Sequence, residues 1–167
     1  MKLTSAKANK LLKQMNEEYE ALLEEEKNTS TFLAAMGEDP NSLKPDYSYE
    51  LTKNRIIKLE TEICRLKHAI NIFNTTHKPE GFDMTVDEAL IYIAMLSKKT
   101  AKLAEMKNRL PKAREISDIY SVNGIIDYRY INYDRQAVKT DYELAYEELS
   151  RLQIALDVLN NTLEFEF

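Results

Sequence analysis

YELTKNRIIKLETEICRLKHAINIF, residues 49–73, decides the fold. Tyr49, Thr52, Ile56, Leu59, Ile63, Leu66, Ile70 and Phe73 recur alternately three and four residues apart. A turn of 3.6 residues gathers positions at that spacing into one stripe, the seam a long helix needs to pack against others. The stripe predicts a helix from about Tyr47 to Asn74.

Comparable stripes lie on either side. Ser5, Ala8, Leu12, Met15, Tyr19 and Leu22 predict a first helix from about Leu3 to Lys27. It ends in Glu24-Glu25-Glu26, followed by the polar Asn28-Thr29-Ser30. Residues 75–81 contain Pro79 and Gly81 and break the chain after the second helix. Thr85 followed by Glu88 is a capping box, opening a third helix whose buried face is Val86, Ala89, Ile93, Leu96, Thr100, Leu103 and Leu110. Pro111 lacks an amide donor and should interrupt that helix. Asp134 reads as the N-cap of a last helix, running to about Asn161 with Val138, Tyr142, Ala145, Leu149, Leu152, Leu156 and Leu159 as its seam.

Two connections are unusual. The first, to about Asp46, is long for a compact domain and holds Thr31–Met36, a short strand or a short helix. The other holds Ile125–Ile131, β-branched and aromatic after Gly124, the best strand candidate in the chain. In an up-down arrangement these two connections fall at the same end. The expectation is a mainly all-α antiparallel bundle of about four long helices, one domain spanning residues 1–167. A small two-stranded ribbon at one end would pair Thr31–Met36 with Ile125–Ile131.

Composition bounds the function. Charged residues make up 31% of the 167, with 3 Gly, 4 Pro and a net charge of −5. An acidic chain is a poor bulk partner for nucleic acid. The single cysteine, Cys64, forms no intrachain disulfide and reads as a packed or boundary thiol. With no signal-like apolar stretch near Met1-Lys2-Leu3, the cytoplasm is the expected compartment. No run approaches the length of a membrane span, so no membrane partner is expected.

Several residues resemble a known pattern. Asn71-x-x-Asn74-Thr75-Thr76 closes a helix, and Gly81-x-x-x-Thr85-x-x-Glu88-Ala89-Leu90 opens the next. Leu152-Gln153-x-x-Leu156-Asp157-x-Leu159-Asn160 precedes the tail Leu163-Glu164-Phe165. Together with the strand before the last helix, these resemble a family of small bacterial helical proteins often labelled septicolysin-like. Where that family carries a Trp near its C-terminus, this chain has Asn160-Asn161 and no Trp. The resemblance implies a helical protein of unknown activity. The label suggests a membrane-acting cytolysin, for which the chain offers no long amphipathic strands.

Catalytic motifs are missing. Glu-x-x-His, needed twice for a carboxylate di-iron site, does not occur at His68 or His77. Two His and one Cys at unrelated spacings make no zinc site. His68 reads as a boundary side chain of the second helix and His77 as an exposed loop residue. Asn71, Asn74, Thr75 and Thr76 read as helix-terminating residues that bond the local backbone. Two readings of function are carried forward. In the first, Tyr47, Tyr49, Tyr120, Tyr128, Tyr130 and Tyr133, with Arg129, cluster in or beside the connections at one bundle end. Tyr and Arg dominate interface hot spots, so this end is expected to be a self-assembly surface, or one for another protein. The protein is then a non-catalytic structural or interaction protein without a cofactor. In the alternative, Glu24 and Glu25 of the first helix and Glu147 and Glu148 of the last hold magnesium in an all-α nucleotide hydrolase.

Overall fold

The computed structural model describes residues 1–114 and 127–167. The fold is mainly all-α. Helices α1 (Ser5–Thr29), α2 (Pro40–Leu43), α3 (Tyr49–Thr76), α4 (Val86–Asn108) and α5 (Arg135–Thr162) alternate with short strands β1 (Lys2–Thr4), β2 (Lys112–Arg114), β3 (Tyr128–Tyr130) and β4 (Glu164–Glu166). The described chain divides into two compact units, Met1–Lys78 with Asp157–Phe167, and Pro79–Leu156.

In the first unit α1 and α3 form an antiparallel hairpin. Tyr19 Oη donates to Glu60 (3.0 Å) and Tyr47 Oη donates to Glu26 (2.7 Å), so later residues of one helix meet earlier residues of the other. The core between them is the two stripes read above. Ala8, Met15 and Leu22 of α1 pack with Leu59, Ile63, Leu66 and Ile70 of α3. The α3 stripe leaves the core at its start: Thr52 and Ile56 are half-buried and Tyr49 is exposed. Thr4 Oγ1 accepts from Lys7 N (3.3 Å) and caps α1.

The chain does not enter α1 at Leu3. Lys2–Thr4 pair antiparallel with Glu164–Glu166, Leu3 opposite Phe165. The ladder continues through Phe167 N to Met1 O (2.8 Å) and Met1 N to Phe167 O (2.6 Å). Alternation explains it. In Leu163-Glu164-Phe165-Glu166-Phe167 every second residue is apolar, the period of a half-buried strand. Phe165 reaches the ring of Phe73 (centroids 5.2 Å) and ties the ribbon to α3.

In the second unit α4 and α5 are also antiparallel neighbours. Tyr92 Oη donates to Glu148 (2.9 Å). At the other end of α4, Tyr133 Oη donates to Met106 O (2.7 Å) and Arg135 Nε donates to Lys107 O (3.2 Å). α4 buries Val86, Ala89, Leu96 and Thr100, whereas α5 buries Val138, Ala145, Leu152 and Leu156. The Thr85–Glu88 capping box is present with both reciprocal bonds. Asp134 accepts from Gln136 N (2.8 Å) at the start of α5. α4 stops at Asn108, short of Pro111, which leaves Leu110 exposed rather than on the buried face.

The expected ribbon exists with a different partner. Tyr128–Tyr130 pair antiparallel with Lys112–Arg114, not with residues 31–36, which form no strand and lie exposed. The nearer segment wins because closing a local loop costs less chain entropy than recruiting a segment some ninety residues earlier. Pro111 contributes by ending α4 and supplying the carbonyl that accepts from Ile131 N (3.2 Å). Tyr120 and the first residues of the expected strand, 125 and 126, lie outside the described residues.

Candidate functional site

The β2–β3 ribbon carries three of the residues singled out by sequence. Its register sets Lys112 opposite Tyr130 and Arg114 opposite Tyr128, with Ala113 opposite Arg129. Alternation therefore places Lys112, Arg114, Tyr128 and Tyr130 on one face and Ala113 with Arg129 on the other. Tyr128 is 46% exposed and Tyr130 63%. The Lys112 ammonium sits 4.0 Å from the centre of the Tyr128 ring and 5.4 Å from that of Tyr130. A cation over two ring faces holds both rings in place without covering them.

At the ribbon's base a concave site of about 600 Å³ is lined by Arg109, Arg129, Tyr130, Asn132 and Tyr133, among others. Its cations are engaged. Arg109 pairs with Glu105 one turn back, which raises its pKa further, and Arg129 also has a partner. Tyr133 is half-buried, its hydroxyl spent on a carbonyl at the end of α4. This tyrosine fastens the ribbon to its helix, a structural role.

Tyr47 and Tyr49 belong to the first unit. Tyr47 is half-buried, and its bond to Glu26 pushes the phenol up to about 12. Glu26 thus sits on the α1 seam with a donor of its own. Tyr49 is exposed, with the Lys53 ammonium 5.5 Å from its ring centre. Tyr19 and Tyr92 are raised for the same reason as Tyr47, bonds to Glu60 and Glu148.

The acidic candidates have ordinary surroundings. Glu24 bonds Lys27 (3.4 Å) and Asn28 (3.3 Å) on its own helix, and Glu25 is exposed. Glu148 accepts from Tyr92, while Glu147 faces solvent. Among the described residues no group of three or more His, Cys, Asp or Glu side chains could hold a metal ion. Cys64, expected as a packed or boundary thiol, is exposed. It lies one residue past Ile63, and 100° of helical rotation carries it off the stripe. His77 was expected in solvent but is half-buried. It ends α3, stacks on Phe73 (centroids 4.5 Å, 25°), and its Nδ1 lies 3.0 Å from Phe73 O. Thr75 and Thr76 hydroxyls donate to Asn71 O (2.9 Å) and Ile72 O (2.7 Å), the local bonding expected there.

Sequence reasoning missed a second concavity. A groove of about 1010 Å³ runs between α1 and α3 in the first unit. Its floor is apolar, with Leu11 and Met15 from one helix and Leu59, Ile72 and Phe73 from the other. Phe165 and Phe167 of the terminal ribbon close one end. Glu18, Glu62, Arg65 and His68 stand among the lining as polar members. The signal that would have found it is the period-two alternation of residues 163–167.

Among the described residues no helix is long and apolar enough to cross a membrane. No family model and no curated protein matches the chain. A solved structure does: a conserved protein of unknown function from Corynebacterium diphtheriae, 20% identical, with a TM-score of 0.63 over 99% of this chain and 100% of that one. At that identity the likeness establishes a common fold and nothing about activity.

Proposed function

We propose that this is a non-catalytic interaction protein that assembles with further copies of itself through the β2–β3 ribbon. The observation that carries it is the exposed ring pair Tyr128 and Tyr130 on a ribbon that, among the described residues, has two short strands. Isolated two-stranded ribbons are marginal in water and gain most from being covered. Among the described residues each strand pairs on one side only, leaving main-chain donors and acceptors along the outer edges. Exposed Tyr beside Lys and Arg has the make-up of an interface centre, with broad contact area and polar reach. Tyr133 supports this from behind by anchoring the ribbon to α4.

Light scattering over a concentration series tests it. The mass should exceed the 19.4 kDa of one chain as concentration rises. Tyr128→Ser with Tyr130→Ser should return it toward the monomer while far-ultraviolet circular dichroism stays unchanged. A wild-type monomer up to high micromolar concentration would defeat the proposal.

A further inference from the structure

The two ribbons carry opposite charge on matching strands. In β4 the exposed Glu164 and Glu166 share one face, and Phe165 turns to the other. In β2 the exposed Lys112 and Arg114 share one face, with Ala113 behind. The spacing is the same in both, a charged residue on either side of an uncharged one. Within a chain the ribbons belong to different units and are separate two-stranded sheets.

Main-chain polarity matches as well. In an antiparallel pair, residues that exchange hydrogen bonds alternate with residues whose N–H and C=O point outward. Met1 and Phe167 exchange both bonds, so Leu3 and Phe165 are the next bonded pair. Glu164 and Glu166 therefore turn their main-chain groups to the outer edge of β4. Ile131 N donates to Pro111 O, so Ala113 and Arg129 are the next bonded pair there. Lys112 and Arg114 therefore turn theirs to the outer edge of β2. Among the described residues no strand covers either edge.

We propose that β4 of one copy pairs antiparallel with β2 of a second copy. This rests on assembly through the β2–β3 ribbon and names the surface that ribbon meets. Glu164 falls opposite Arg114 and Glu166 opposite Lys112, each pair exchanging its outward main-chain bonds, with Phe165 opposite Ala113. The two sheets join into one, in the order β1, β4, β2, β3. One row across it reads Lys2, Glu166, Lys112 and Tyr130, with the charges alternating in sign. Opposite charges directly across strands attract, and like charges repel. Two β2 edges would set cations against cations, and two β4 edges carboxylates against carboxylates, so charge selects the mixed pair. The Tyr128 and Tyr130 rings support the contact from behind by holding the Lys112 ammonium. The surfaces that meet are different, so every copy has one of each to offer.

Sedimentation velocity of the full-length chain over a concentration series tests it. Glu164→Lys with Glu166→Lys should raise the concentration for half-association about tenfold or more, as should Lys112→Glu with Arg114→Glu. An equimolar mixture of the two variants sets a basic β4 against an acidic β2 and should associate at close to the wild-type concentration. Glu164→Gln with Glu166→Gln, which brings no repulsion against Lys2, should weaken association to a smaller degree. Circular dichroism checks that helix content is kept. Wild-type assembly that Tyr128→Ser with Tyr130→Ser abolishes, but that neither charge reversal weakens, would overturn this pairing and leave the ribbon reading standing. So would charge-reversed variants that stay apart on mixing. A wild-type monomer at every concentration would overturn both.

Discussion

Replacing Phe73 by Ala should be among the most damaging single changes in the chain. Phe73 is 1% exposed and is the last member of the α3 stripe. Its ring stacks on His77, which ends the helix, and leans against Phe165 of the terminal ribbon. One side chain therefore joins the end of α3, its last turn and the strand that closes the groove. Truncating a fully buried Phe costs about 3–5 kcal/mol, transfer and residual cavity together. The ring pair with Phe165 contributes ~0.5–1.5 kcal/mol of that. At a urea slope of ~2 kcal/mol/M the midpoint should fall by about 2 M. Ile72→Ala is the internal control. Ile72 adjoins Phe73 in sequence but is 49% exposed, so its truncation should cost less than ~1 kcal/mol. Urea denaturation of both variants, followed by circular dichroism, makes the comparison. If Phe73→Ala fell within ~1 kcal/mol of wild type, or matched Ile72→Ala, the stripe would not be the core it is taken to be.

Three further outcomes follow from single contacts. Thr85→Ala removes the hydroxyl half of the capping box and should cost about 1 kcal/mol in chemical denaturation, with Thr85→Ser restoring most of it. Tyr47, held up to about 12 by Glu26, stabilises the fold only while protonated. Its contribution is complete below about pH 10, the unfolded value. It is lost as pH climbs through 12, so wild type should converge on Tyr47→Phe in pH-dependent melting over that window. Cys64, exposed on α3, should react with a thiol reagent in the native state at nearly the rate of the unfolded chain, with helicity unchanged.

Much of the fold is legible in the order of residues, because long helices write their packing as a period. Ser5 through Leu22 and Leu59 through Phe73 are buried or half-buried at the positions their spacing assigns. Local signals also carry: Thr85 and Glu88 form their box, and Asp134 opens α5. Non-local strand pairing is where reading fails. Thr31–Met36 reads as a short strand or a short helix and forms neither, whereas Lys112–Arg114, with little β propensity, pairs with Tyr128–Tyr130 because it is closer along the chain and follows a helix-ending proline. Three residues of Lys2–Thr4 are too few to show a period and find a mate only at the far end of the sequence. The groove inherits that difficulty, since Phe165 and Phe167 close it from a strand that was not foreseen. Sequence treats the tyrosines alike, and their surroundings divide them. Tyr47 and Tyr133 spend their hydroxyls inside the fold, and Tyr49, Tyr128 and Tyr130 remain outside.

Amide hydrogen exchange at two protein concentrations tests the assembly surface most directly. Exchange at Lys112–Arg114 and Tyr128–Tyr130 should slow markedly between low and high micromolar protein, while the interiors of α1, α3, α4 and α5 stay as they were. Ribbon amides that exchange at one rate across that range would contradict assembly through this end.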